Sequence, residues 1–157
     1  MVVIRLNSTT RTIFKRHYEN IESETYLLDT GAELTLYTKA FKKFMLNYPD
    51  AYDSGLQTII GGFGGKGVEY VPIYIIPKFE LAGITFYDFP VALQISEHLS
   101  VDLIITASVL RHNEFSVNLF KRELKIDNTK AEVYCKMLFS EVDNSICNSV
   151  AVFTQEG

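Results

Sequence analysis

Two apolar segments flank a short turn signal in Tyr26-Leu27-Leu28-Asp29-Thr30-Gly31-Ala32-Glu33-Leu34-Thr35-Leu36-Tyr37. Glycine accepts backbone angles that other residues avoid, and Asp readily begins a turn, so Asp-Thr-Gly predicts a tight turn or bulge between two strands. A carboxylate that activates water needs a similar setting, because backbone donors must hold its oxygens at the tip of a rigid turn. The stretch therefore fits a purely structural turn and also a catalytic one.

The string Asp29-Thr30-Gly31-Ala32-x-x-Thr35, after an apolar pair, resembles the active-site turn of the aspartic proteases in the short retroviral-type (retropepsin-like) form. The resemblance implies that Asp29 is the catalytic residue. It also implies that the Thr30 hydroxyl locks the turn and that Gly31 lets the chain pass close to the carboxylate and to a partner copy. Small Ala32 then leaves room for a substrate backbone.

Five glycines fall within the segment Ile59-Ile60-Gly61-Gly62-Phe63-Gly64-Gly65-Lys66-Gly67-Val68. A phosphate-binding loop ends in Gly-Lys-Ser/Thr and opens a helix, whereas here Gly67 follows Lys66 and a strand-like apolar run continues. The segment therefore predicts a glycine-tipped hairpin, and its place after the Asp29 turn resembles the flap of retropepsin-like proteases. The resemblance implies that Phe63 closes over a bound peptide, which backbone N–H groups contact.

The segment Val101-Asp102-Leu103-Ile104-Ile105-Thr106-Ala107-Ser108-Val109-Leu110 resembles the third family signature, Ile-Ile/Leu-Gly-x-Asp/Asn-x-Leu. Thr106 stands where the family usually has Gly, Ser108 where it usually has Asp or Asn, and Ala107 where retroviral enzymes often carry Arg. Asp102 shares a strand face with Ile104, so it is a candidate for the rim of a pocket or for a loop end in solvent. The resemblance implies substrate-binding residues at Leu27, Ala32, Ile60, Gly61, Gly62, Phe63, Gly64 and Ile104.

A second string, Asp53-Ser54-Gly55-Leu56-Gln57-Thr58, also fits Asp-Ser/Thr-Gly-x-x-Thr. Two such turns in one chain would suggest a bilobal, pepsin-like enzyme. The preceding residues 47–52 are polar and contain a proline, however, so no apolar strand leads into Asp53. Two full β-domains also do not fit between Asp29 and Asp53. The second string is therefore predicted to be a surface turn.

The remaining pattern is mostly that of strands. Apolar residues repeat at helical spacing only between Ala40 and Tyr48, which predicts a short helix with Thr38 as its N-cap and Pro49 beyond its end. Ala82-Gly83 predicts a turn between two strands. Strands are expected at 2–6, 12–18, 24–28, 34–38, 68–76, 84–95 and 101–105, with a hairpin over 114–126. Residues 131–139 and 146–153 predict either a further hairpin or a strand and a helix.

Composition narrows the class of protein. The 157 residues suit one domain with a sizeable core, and 47% hydrophobic with 22% charged residues is typical of a globular protein. No apolar run reaches the ~18 residues of a membrane span, and charge near the N-terminus argues against a signal peptide. A net charge of -4 with scattered Lys and Arg gives no nucleic-acid-binding surface.

The chain has two cysteines, Cys135 and Cys147. A zinc site requires more ligands, so we expect neither a metal nor another cofactor. Without a secretory signal, two reduced thiols in a cytoplasmic protein are expected rather than a disulfide.

These observations predict a mostly β protein with the closed barrel of a retropepsin-like acid protease, a glycine-rich flap hairpin and one or two short helices. Residues 1–126 form the protease domain, and 127–157 form a C-terminal extension packed on it. The predicted function is that of an aspartic endopeptidase acting on peptides or proteins as a homodimer, because one chain supplies one credible catalytic Asp. An inactive relative that binds peptides or dimerises, and a β-domain with coincidental motifs, remain alternatives.

Overall fold

The computed structural model describes residues 1–18, 21–29, 34–61, 68–94, 100–106, 113–140 and 150–156. Within these ranges the chain forms twelve strands and one α-helix, so the mostly β prediction is confirmed. The elements are β1 Val2–Arg5, β2 Ile13–Tyr18, β3 Ile21–Asp29, β4 Thr35–Tyr37, α1 Phe41–Asn47, β5 Tyr52–Gly61, β6 Val68–Leu81, β7 Ile84–Leu93, β8 Leu103–Thr106, β9 Phe115–Asn118, β10 Glu123–Ile126, β11 Glu132–Ser140 and β12 Val150–Glu156.

The strands make one large sheet and one small one. The large sheet runs β12-β11-β7-β4-β8-β3-β2, and the β5–β6 hairpin joins it where β6 pairs with β7. The small sheet runs β1-β10-β9, so the N-terminal strand pairs with the second strand of the 115–126 hairpin. Among the described strands no pairing joins β2 to β12, so closure into a barrel stays a prediction.

The core is rich in aromatic residues and connects the two halves of the large sheet. On β7, Ile84 and Phe86 are buried while Thr85 and Tyr87 are partly exposed, which is the alternation expected of a strand with one covered face. Phe79 of β6 stacks on Phe89 of β7 with ring centroids 4.4 Å apart. Tyr26 of β3 stacks on Phe79 at 6.3 Å and is fully buried. The strand that ends at Asp29 is thereby packed into the centre of the protein.

The hairpin predictions are confirmed where the structure describes the strands. Leu81 pairs with Ile84 across Ala82 and Gly83, which have φ of 54° and 76°. Two successive positive φ values are those of the two-residue turns that match the twist of a β-hairpin. β9 pairs with β10 as predicted, and β11 pairs with β12, so the hairpin alternative holds for the C-terminal strands.

The C-terminal hairpin is attached to the large sheet. Glu132, Val133 and Tyr134 of β11 pair in parallel with Thr85, Phe86 and Tyr87 of β7. Main-chain bonding therefore connects the segment after residue 126 to the strands before it. The division into a domain of residues 1–126 and an extension of 127–157 stays a prediction.

The helix α1 begins differently from the prediction. Its N-cap is Ala40, which has an extended backbone and makes no side-chain capping bond, so the prediction of Thr38 as the cap is wrong. The Thr38 hydroxyl instead donates to the carbonyl of Val101 and is fully buried. A buried hydroxyl needs a partner, and the main chain just before β8 provides one. In the described part of the chain, no helix combines the length and apolar character needed to cross a membrane.

Candidate active site

Three strands, β3, β8 and β4, position Asp29. β3 ends at this residue, and its last four residues pair in parallel with β8, so that Asp29 lies opposite Thr106. β4 lies on the other side of β8 and runs antiparallel to it, with Leu36 opposite Ile104. β3 and β4 follow each other in the described sequence, yet β8 is inserted between them. The chain on both sides of the Asp29 turn is therefore fixed to one central strand.

The alternation of side chains on β3 brings the carboxylate out of the core. Tyr26 and Leu28 are buried, whereas Leu27 is partly buried and Asp29, at the strand end, is exposed. Residues i and i+2 of a strand share a face, so Leu27 and Asp29 point to the same side. This is the arrangement expected of an apolar strand that delivers one acidic side chain to the surface.

Asp29 borders a depression of about 290 Å³. Three of its lining residues, Thr10, Arg11 and Thr12, belong to the polar turn before β2 and were not predicted from the sequence. Thr12 makes two hydrogen bonds with Leu28 of β3, one as donor and one as acceptor. Its hydroxyl donates to the Leu28 carbonyl at 2.6 Å, and its carbonyl accepts from the Leu28 amide at 3.0 Å. The only signal in the sequence was the position of Thr12 at the start of a predicted strand. The complete lining is Thr10, Arg11, Thr12, Leu27, Leu28, Asp29 and Leu119.

Thr106, the departure from the expected glycine, is fully buried at the end of β8. A β-branched residue suits a strand that is covered on both faces. The structure therefore accommodates this side chain directly beside the strand that carries Asp29. The other two positions that differ from the family signature, Ala107 and Ser108, lie outside the described residues.

The predicted substrate-binding residues fall into two groups. Ile104 is buried and pairs with Leu27 across the β3–β8 ladder. Ile60 is partly buried against the core, and Gly61 ends β5 opposite Val68. Leu27 thus lines the depression beside Asp29, and Ile60 and Gly61 lie at the end of β5, while the substrate-binding role of all these residues stays a prediction. Thr30, Gly31, Ala32, Gly62, Phe63 and Gly64 lie outside the described residues, so the turn and flap roles stay predictions.

The second Asp-x-Gly string lies in an irregular part of the β5–β6 hairpin. The register between β5 and β6 shifts between Asp53 and Leu56, which places a bulge there rather than the predicted turn. Gly55 has φ of 78°, and its amide donates to Asp53 Oδ1 at 2.8 Å. Asp53 is exposed, so the prediction that this string lies at the surface is confirmed.

Neither predicted position for Asp102, a pocket rim or a loop end in solvent, is correct. The residue is 5% exposed, and both of its carboxylate oxygens accept hydrogen bonds. Oδ2 accepts from the Thr25 amide at 2.7 Å, and Oδ1 accepts from Lys43 Nζ at 2.8 Å. No motif or spacing in the sequence indicated that the helix α1 would bring Lys43 onto this carboxylate.

Comparison with known proteins identifies the fold. No protein-family model and no curated protein matches this sequence. A retropepsin-like aspartic protease from Rickettsia conorii has a similar structure, with a TM-score of 0.53 and 14% sequence identity over 97% of this chain and 92% of that chain. Identity this low supports a likeness of fold and no more. The mostly β fold of the chain is therefore consistent with the retropepsin-like fold that the string at Asp29 predicted, while the closed barrel and the flap stay predictions.

Proposed function

We propose that this protein is an aspartic endopeptidase in which Asp29 activates water at a site shared by two copies of the chain. One observation carries the proposal: Asp29 is exposed at the end of a buried strand, beside β8, in a chain with the fold of a retropepsin-like protease. An acidic side chain that leaves the core at the end of a strand paired on both sides is positioned for chemistry on a bound ligand.

The proposed mechanism needs two carboxylates. The other Asp-x-Gly string lies in an exposed bulge, so the second carboxylate comes from Asp29 of a partner copy. Two carboxylates about 3 Å apart cannot both ionise cheaply, so the pair shares one proton. One carboxylate takes a proton from water while the other donates to the scissile carbonyl, and water adds without a covalent acyl-enzyme.

The proposed substrate is a peptide or protein segment in extended conformation. Leu27 supplies apolar surface beside Asp29, Ile104 packs next to it on β8, and Ile60 lies in the strand that leads to the glycine-rich segment. Residues 61–67 would close over the peptide and offer backbone N–H groups, as a flap does in similar enzymes. We also retain the closed barrel and the cytoplasmic location as parts of this proposal.

The second candidate function is that of an inactive peptide-binding or dimerisation module. Thr106 favours it, because this buried side chain lies opposite Asp29 where similar enzymes usually have glycine. A displaced Asp29 would still leave an apolar groove for a peptide but would not support the shared proton. The two candidates agree on the fold and on the dimer and differ only in turnover.

A peptide cleavage assay separates the two candidates. The purified protein is incubated with a mixed peptide library at acidic and neutral pH, with and without pepstatin, and the products are read by mass spectrometry. An active enzyme gives internal cleavage that pepstatin suppresses and that Asp29→Asn abolishes. Peptide retention without cleavage under all of these conditions would favour the inactive module and contradict the endopeptidase.

A dilution series tests the shared site. When monomer dominates, the dimer concentration rises as the square of the protomer concentration, so the dilute rate should be quadratic and become linear once the dimer saturates. An inhibitor that contacts both copies should tighten the dimer. Sedimentation measured on the same samples gives the dimer fraction directly. Full activity per chain in a sample that sediments as a monomer would refute the shared site.

A further inference from the structure

Every polar atom of Asp102 makes a hydrogen bond. Its amide donates to the Thr25 carbonyl at 2.8 Å, and its Oδ2 accepts from the Thr25 amide at 2.7 Å. Its carbonyl accepts from the Thr38 amide at 2.9 Å. Its Oδ1 accepts from Lys43 Nζ at 2.8 Å. One buried residue thus contacts β3, the end of β4 and α1, just before β8 begins.

These contacts lie at the end of the β3–β8 ladder opposite to Asp29. The ladder has four residue pairs, from Tyr26 with Leu103 to Asp29 with Thr106. At about 3.3 Å per residue, the Asp102 contacts are roughly 13 Å from the position of Asp29. The Thr25 amide and carbonyl both bond to Asp102, so they extend the same register by one further pair.

Register is the property that such a contact can fix. A slip of one residue between β3 and β8 would move each β3 side chain to the other face of the sheet. Main-chain ladder bonds repeat along a strand and do not by themselves exclude a slip. A slip of one residue would bring Glu24 or Tyr26 opposite Asp102 in place of Thr25. The amides of successive strand residues point to opposite neighbouring strands, so the carboxylate would lose its main-chain donor.

Stability alone is a poor reason for this arrangement. A buried ion pair loses hydration that its Coulombic attraction only partly returns, and apolar residues of similar size are often at least as stable. Lys43 and Asp102 have side chains that are 29% and 8% exposed, so the pair is partly desolvated. In some proteins a buried polar contact is retained for the specific arrangement that it enforces, so the geometry of this contact is its relevant property.

We propose that Asp102 is a positioning residue for Asp29: its bonds to Thr25 fix the register of β3 on β8 and thereby the place of the Asp29 carboxylate. The kinetic consequence rests on the proposed endopeptidase function, whereas the effect on Asp29 itself does not. A misplacement of about 1 Å at a catalytic group can reduce turnover by about 100-fold, so a displacement of the β3 end that is smaller than a full register slip is sufficient.

Four variants separate positioning from stability. Asp102→Ala removes the bonds to Thr25 and Lys43 together. Asp102→Asn keeps the shape and an oxygen for the Thr25 amide but loses the charge pair. Lys43→Met is the matched control, because it removes the ion pair and leaves the Thr25 bond. Asp102→Glu keeps the charge but displaces the carboxylate by one methylene, and it decides the question if the alanine variant does not fold.

The readout on Asp29 is the ¹³C chemical shift of its side-chain carboxyl, assigned by its disappearance in Asp29→Asn and followed over pH. Asp102→Ala and Asp102→Glu should change this shift and its titration, whereas Asp102→Asn and Lys43→Met should leave both near the wild type. Unfolding midpoints of all four folded variants provide the measure of stability.

The kinetic readout is steady-state cleavage at protein concentrations that saturate the dimer. Asp102→Ala should lower kcat about 10- to 100-fold with KM within about twofold of the wild type, and Asp102→Asn should restore kcat. If the wild type cleaves no peptide, the proposed function fails and the ¹³C measurement still decides the role of Asp102. The proposal would be overturned if the ¹³C signal of Asp29 is unchanged in both Asp102→Ala and Asp102→Glu. If the alanine variant does not fold, an unchanged signal in Asp102→Glu alone would overturn it.

Discussion

Asp29 and Asp53 both precede a hydroxyl residue and a glycine, but the fold treats the two strings differently. Asp29 ends a strand whose preceding residue, Leu28, is buried and whose neighbour is the central strand β8. Asp53 follows Tyr52, which is 51% exposed, and lies in a bulge of the β5–β6 hairpin. The chemical groups are nearly the same, and the surroundings differ in the burial of the preceding residue and in strand partners.

The difference shows which part of the motif carries the information. Asp and Gly form a turn or a bulge wherever the backbone needs positive φ, so the three residues alone are a weak indicator of function. The apolar run before Asp29 is what places that string at the end of a buried strand. The buried Leu28 anchors the strand end, so the exposed Asp29 lies at a depression beside β8, whereas the exposed Asp53 lies in a bulge of a hairpin.

The largest expected difference between the two strings is in catalysis. Asp29→Asn changes charge and hardly changes shape, so it should leave the fold intact and lower peptide cleavage by about 10³-fold or more. Asp53→Asn keeps the Oδ1 that accepts from the Gly55 amide, so its activity should equal that of the wild type. Initial rates of both variants at equal protein concentration make the comparison. A loss of activity at Asp53 with activity retained at Asp29 would mean that the wrong string was chosen.

The residues that precede the two aspartates should differ in their contribution to stability. Leu28→Ala removes a buried side chain from the core and should cost about 2–5 kcal/mol of unfolding free energy. Tyr52→Ala removes a half-exposed side chain and should cost less than about 1 kcal/mol. Urea unfolding of the two variants measures both values. Equal costs would contradict the contrast between a buried strand end and an exposed bulge.

The expected effect at the bulge itself lies between those of Leu28→Ala and Tyr52→Ala. Gly55 has φ of 78°, and a Cβ added there would meet nothing within 4 Å. Gly55→Ala should therefore cost about 1–2 kcal/mol from backbone strain alone, without a steric clash. Its peptide cleavage rate should be unchanged when measured well below the unfolding midpoint. A loss of cleavage in the folded variant would show that the bulge contributes to the site.

Much of the fold was accessible from the sequence because its signals are local. The Ala82-Gly83 turn and the 115–126 hairpin follow from turn residues between apolar runs, and both are present. The pairing of β1 with β10 joins residues far apart in the chain, and alternation within a strand does not identify its partner. The prediction for Thr38 was wrong for a related reason, since its hydroxyl bonds to a carbonyl 63 residues away.

The candidate site was accessible only in part. Asp29 and its strand follow from the motif and from the apolar run before it. Thr10 and Arg11 line the same depression as Asp29, but they belong to an ordinary polar turn with no motif. Asp102 was misassigned because strand alternation gives the direction of a side chain and not what packs over it. Contacts between segments that are distant in the chain determine the surroundings of these residues. Local patterns in a single sequence do not predict such contacts.

A mixing experiment tests the shared site most directly. Wild-type protein is mixed with increasing amounts of Asp29→Asn at constant total concentration, under conditions in which the dimer is saturated and subunits exchange. If each active site needs Asp29 from two chains, the rate should fall as the square of the wild-type fraction. Mixing with Asp53→Asn should leave the rate unchanged. A rate that falls only in proportion to the wild-type fraction would show that one chain holds a complete site and would contradict the account.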